Sequence, residues 1–117
     1  MKILIAPDKF KGSLSASQVC DAITKGININ KFKHEIVSCP MADGGEGSID
    51  IINNYLSLKP VELIVNDPLF RPIKSTYYFS DLTAYIEMSS ASGLTLLKKE
   101  EQNCMSTSSF GTGELIK

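Results

Sequence analysis

A change of hydrophobic period along the chain does most to narrow what it can fold into. Residues 2–6 (KILIA) make a short apolar run stopped by Pro7, which reads as a buried strand. Apolar side chains then recur at 16, 19, 20, 23 and 27, the spacing of one helix face. Ser15 and Gln18 form a capping box at its start, and Gly26 lies near its end. Residues 34–39 read as a second strand. Residues 48–56 (SIDIINNYL) read as a second helix with Ile49, Ile52 and Leu56 on one face. Strand, helix, strand, helix in that order is the signature of a parallel sheet covered by helices. The period then falls to two at Val61, Leu63 and Val65, at Ile73, Tyr77 and Phe79, and at Ala84, Ile86 and Met88. NDPLFRP and the Ser80-Asp81 pair separate these runs, so they predict an antiparallel meander. Residues 89–93 and 106–113 read as small-residue breaks, and Glu114 as a helix start. Three segments follow: 1–57, 58–89 and 90–117. Only 114–117 remain after that last start, about one turn, so the sequence is expected to be a fragment.

Composition removes several function classes. The chain has 117 residues, a formal net charge of −1, 43% hydrophobic and 21% charged residues. That is an ordinary globular balance with one domain as the prior. It has no bulk attraction for nucleic acid or an anionic membrane. No apolar run approaches the ~18 residues of a membrane span, and MKILIAPDKFKG is too short in its apolar part for a signal peptide. A cytoplasmic protein is expected. Cys20, Cys39 and Cys104 are odd in number and lack a CxxC spacing, so they read as reduced, packed thiols. His34 is the single histidine. A zinc site or a Ser-His-Asp triad built from this chain would depend on it, which argues against both.

The polar chemistry lies in the loops. Asp8, Lys9, Lys11, Gly12 and Ser13 follow the first strand, and Asp43, Gly44, Gly45, Glu46 and Gly47 follow the second. Ligands of open α/β sheets collect at the carboxyl ends of the strands. Two lysines beside a Gly-Ser turn suit an anion, and Asp43 with Glu46 suits water-mediated Mg²⁺. Three glycines in four positions lose much backbone entropy on folding, which suggests that the backbone comes close to something. Together these parts fit phosphoryl transfer, which needs positioning and charge neutralisation. Plainer readings stand beside them. The lysines can be solvated loop charges, Asp8 and Ser13 turn or helix caps, and the glycines a sharp corner. SSASG can be a linker, and TSSFGTG a loop into a capped helix. No GxxxxGK[ST] occurs, and the GxG of Gly111 and Gly113 meets Ile116 where the dinucleotide fingerprint needs a small residue.

Four blocks carry a resemblance to the bacterial glycerate kinase family that is unrelated to P-loop kinases. They are MKILIAPDKFKGSLSA at 1–16, PMADGGEGS at 40–48, IEMSSASGL at 86–94 and TSSFGTGELI at 107–116. Lys9 stands where the family usually has Ser, and Ser90 where it usually has Ala. The resemblance implies transfer of the ATP γ-phosphate to D-glycerate with Mg²⁺. It also implies a Rossmann-like layered α/β sheet with the meander, as the N-terminal portion of a larger two-domain fold. By the same resemblance, Asp8, Lys11 and Asp43 are the catalytic candidates, with the base open between Asp8 and Asp43. Gly12, Ser13, Gly44, Gly45, Glu46, Gly47, Ser92, Gly93, Gly111, Thr112 and Gly113 are the substrate- or phosphate-binding candidates. Glu87 falls in the third block without a role. Asp43 and Glu46 are the metal candidates. The expected partners are D-glycerate and ATP, with neither nucleic acid nor membrane. The 117 residues alone are expected to be inactive, and an uncovered face is expected to favour association.

Overall fold

A computed structural model describes residues 1–29 and 34–117. In it β1 (Lys2–Ile5) runs parallel to β2 (Glu35–Ser38), with Ile3 opposite Ile36 and Leu4 opposite Val37. Parallel neighbours need a crossover rather than a tight turn, and α1 (Ala16–Asn28) supplies it. Its start is fixed by the capping box expected from sequence. The Ser15 hydroxyl accepts the Gln18 N–H at 3.2 Å, and the Gln18 side-chain oxygen Oε1 accepts the Ser15 N–H at 2.9 Å. Ala16, Val19 and Cys20 are buried, as is Ile5. The buried stripe is narrower than the periodicity implied, because Ile23 stays 41% exposed.

The chain divides into two compact units, Met1–Asp43 and Gly44–Lys117, so the boundary falls inside the ADGGEG turn. The second unit opens with α2 (Ser48–Asn53), shorter than the 48–56 helix expected. Asn53 explains the early stop: its side-chain carbonyl accepts the Leu58 N–H at 3.2 Å, a local bond that competes with helix continuation. The meander follows as β3 (Lys59–Asn66), β4 (Pro72–Ser80) and β5 (Thr83–Tyr85), antiparallel and in sequence order. Val65 pairs with Ile73, Leu63 with Ser75 and Val61 with Tyr77. The third period-2 run was expected to reach Met88, but the strand ends at Tyr85.

Two sequence-based boundaries need correction. The SSASG segment is not a linker: Ser89–Ser92 form a helical turn, α3, with Ala91 fully buried. The last helix, α4, spans Phe110–Ile116 rather than starting at Glu114. Glycines that read as loop lie within its first turns. Val65, Ala91 and Leu115 form the core of this unit, with Ile73, Tyr77 and Ile86 packed against it. Among the described residues no helix is long and apolar enough to cross a membrane.

Candidate functional site

In the first unit the parallel ladder continues beyond both strands. The Cys39 N–H donates to the Ile5 carbonyl at 2.8 Å, and the Met41 N–H to the Pro7 carbonyl at 2.9 Å. The segments after β1 and β2 therefore leave from the carboxyl ends of adjacent parallel strands, where α/β proteins gather ligands. Asp8 is exposed, and its carboxylate accepts the Lys9 N–H at 2.7 Å. Phe10 and Leu14 close a small antiparallel bridge, and the Ser13 N–H donates to the Phe10 carbonyl at 2.9 Å. Lys11, Gly12 and Ser13 are thereby displayed at the tip of a closed turn, all exposed. Asp43, also exposed, ends the unit.

The second unit begins with the glycines. Gly44 and Gly47 have φ of 89° and 84°, a region costly for residues bearing a Cβ. Open space surrounds the position of a Cβ at either. At these two positions the positive φ is by itself a reason for glycine. Ser48 tightens that turn, its hydroxyl donating to the Gly45 carbonyl at 2.6 Å, while Glu46 is exposed.

Gly47 is the N-cap of α2 and has no side chain with which to cap it. Glu87 does so from the end of the meander. Its carboxylate accepts the Gly47 N–H at 2.8 Å and the Ile49 N–H at 3.2 Å, and the Ser89 hydroxyl donates to it at 2.7 Å. The second and third sequence blocks thus meet through one side chain. The third and fourth meet through hydroxyls, Ser92 Oγ and Thr112 Oγ1 lying 2.7 Å apart. Gly93 follows α3 in extended backbone, its N–H bonded to the Ser89 carbonyl at 3.0 Å. Thr112 and Gly113, binding candidates by resemblance, donate their N–H groups to the Ser109 carbonyl at 3.1 and 3.4 Å. Gly111 is buried against β3, where a Cβ would overlap the Asn66 carbonyl.

Sequence reasoning passed over two further anchors. Glu114 holds Asn66 on three counts, accepting its backbone N–H at 2.7 Å and its side-chain amide at 3.1 and 3.0 Å. Asp67 is buried and organises the hairpin. Its carboxylate accepts the N–H groups of Leu69 at 2.8 Å and Arg71 at 2.9 Å, and pairs with Arg71 Nε at 2.6 Å. Burial pushes its pKa up, but the Arg71 and Leu69 hydrogen bonds and the guanidinium charge outweigh that and hold it below the usual carboxylate value. Arg71 also reaches Glu101 at 2.9 Å. An acid ahead of proline in NDPLFRP is the signal that could have revealed this anchor.

For the Mg²⁺ implied by resemblance, Asp43 and Glu46 offer hard oxygen donors on exposed backbone, the chemistry this ion takes. Among the described residues no three His, Cys, Asp or Glu side chains stand together as a ready metal cage. Either acid alone would suit an ion completed by water and phosphate. The two acids belong to different units.

Comparison with known proteins agrees with these blocks. Residues 3–117 match the Glycerate kinase family. A glycerate kinase of Haemophilus influenzae is 44% identical across the whole chain, which covers 32% of that protein. A glycerate 2-kinase of Escherichia coli is 42% identical over 99% of the chain and 31% of its own length. A crystal structure from Salmonella typhimurium LT2, described as a glycerate kinase 2, superposes with a TM-score of 0.68 at 38% identity, covering 99% of this chain and 32% of that one. The chain spans about a third of the length of the relatives it matches. It belongs to the glycerate kinase family.

Proposed function

We propose that these residues form part of a kinase that transfers the γ-phosphate of ATP to D-glycerate. The observation that supports this most directly is the register of the parallel pair. Its ladder runs on through Met41 and Pro7, so the acid and lysine loop and the segment leading to Asp43 emerge from one sheet end. In the proposed reaction a glycerate hydroxyl oxygen attacks the γ-phosphorus. The bond from that phosphorus to the β,γ-bridging oxygen breaks, and ADP leaves. The hydroxyl proton passes to a carboxylate, Asp8 or Asp43. Lys11 neutralises anionic charge near the Gly12-Ser13 turn. Mg²⁺, held through Asp43 or Glu46 and water, would offset phosphate charge. The relatives carry about twice as much further chain as is matched here, so the 117 residues are proposed to be inactive alone.

The test grafts this chain in place of the matching stretch of the Haemophilus influenzae relative. ADP formation is then followed with Mg²⁺, with and without D-glycerate. D-glycerate-dependent turnover by the graft, and none by the 117 residues, is the expected result. A graft that unfolds cooperatively on heating, yet turns over no ATP when D-glycerate is added, would overturn the reading.

A further inference from the structure

Two of the three thiols meet at the root of the site loops. Cys20 is on the inner face of α1 and is buried, 2% exposed. Cys39 follows β2 and is half-buried. Both reach one acceptor: the Ile5 carbonyl takes the Cys39 N–H at 2.8 Å and the Cys20 thiol at 3.8 Å. The shared carbonyl makes Cys20 and Cys39 neighbours; the Cys39 thiol lies 4.0 Å from Met41 Sδ and would turn from it to meet Cys20. A disulfide needs a Cα separation of about 4.4–6.8 Å. Cys104 is exposed and belongs to the other unit.

We propose that Cys20 and Cys39 are a modification site, joined by peroxide into a reversible disulfide that ties α1 to the end of β2. The half-buried Cys39 reacts first. Its thiolate sulfur attacks a peroxide oxygen, the O–O bond breaks, and the hydroxide released takes a proton to become water. This leaves a sulfenic acid on Cys39. The Cys20 sulfur then attacks the Cys39 sulfur, the S–O bond breaks, and a second water leaves with the Cys20 thiol proton. Two thiols and one peroxide give one disulfide and two waters. Burial raises the Cys20 pKa, which suits it to the second, resolving step rather than the first. The link closes four positions beyond Ala16, the first residue of α1, and four positions before Asp43. It would therefore restrain the segment that carries this acid. None of this depends on the kinase reading.

The test treats the native 117-residue chain with hydrogen peroxide and follows intact mass and tryptic peptides. The expected product is a monomer lighter by about 2 Da and restored by dithiothreitol, with peptide 12–25 linked to peptide 34–74. Cys104→Ser should still form it. Cys20→Ala and Cys39→Ala should not. In urea, links should spread over all three cysteine pairs, so dominance of one pair in the native chain reports the fold even if a variant folds poorly. Native chain that gains oxygen on Cys39 with no link to Cys20, or that links Cys104 as readily, overturns the proposal.

Discussion

The Glu87 carboxylate accepts the Gly47 backbone N–H at 2.8 Å across forty positions of sequence. A turn rich in glycine has little local reason to hold one conformation. This remote acid supplies one, and it also takes the Ile49 N–H. Glu87→Ala leaves both donors without their acceptor. The expected loss is about 1–3 kcal/mol, read from urea unfolding, with faster amide exchange at Gly47 and Ile49. Unchanged stability and exchange would mean that the turn holds itself.

Two glycines in helices should respond oppositely to alanine. At Gly111 a Cβ would overlap the Asn66 carbonyl, so Gly111→Ala should destabilise by about 1–3 kcal/mol. At Gly26, inside α1, the space is open. Gly26→Ala should stabilise by about 0.4–1 kcal/mol. Thermal melts of the two variants side by side would decide it, and the same sign for both would refute the packing argument.

Asp67 sets an acid limit on stability. Its folded pKa lies below the ordinary value, so the contribution is present above the unfolded pKa of about 3.9. It is lost as pH falls through the lower folded value. Asp67→Asn should be less stable near neutrality and show a shallower decline with acid below about pH 4. Urea titrations at several pH values would show whether the two curves converge.

Asp8 and Asp43 can be separated by activity. In the grafted enzyme, the variant lacking the proton acceptor should lose about 10²–10⁴-fold in kcat, the usual worth of general base catalysis. Asp43→Asn and Asp8→Asn are measured at saturating D-glycerate and ATP. Near-unchanged turnover in either removes that residue from the proton-transfer role.

Local signals were legible and remote ones were not. The Ser15–Gln18 box and the alternation of Val61, Leu63 and Val65 act over a few residues, and sequence exposes them directly. Glu87 at Gly47 and Glu114 at Asn66 are pairings at separations of 40 and 48 positions, and no periodicity encodes a partner that distant. The late reading of α4 has another cause. Gly111 and Gly113 have poor intrinsic helix propensity, but the packing of Leu115 and the fit of Gly111 against β3 override it. Likewise SSASG reads as a break by composition, whereas burial of Ala91 makes it a helical turn. Loop 11–13 was singled out from residue types alone, and its Phe10–Leu14 closure is local.

The clasp of Glu114 on Asn66 also orders events in time. The hairpin of β3 and β4 closes a short turn, a step of about 1–10 μs in isolated hairpins. The clasp closes a loop of 48 positions, whose chain-entropy cost must be met before the contact repays it, so it is expected to form after the hairpin. Interactions made after the transition state govern how fast a protein comes apart, not how fast it forms. The last helix of this unit is therefore its bolt: loosening Glu114 should shorten the lifetime of the folded unit while leaving its rate of assembly nearly unchanged.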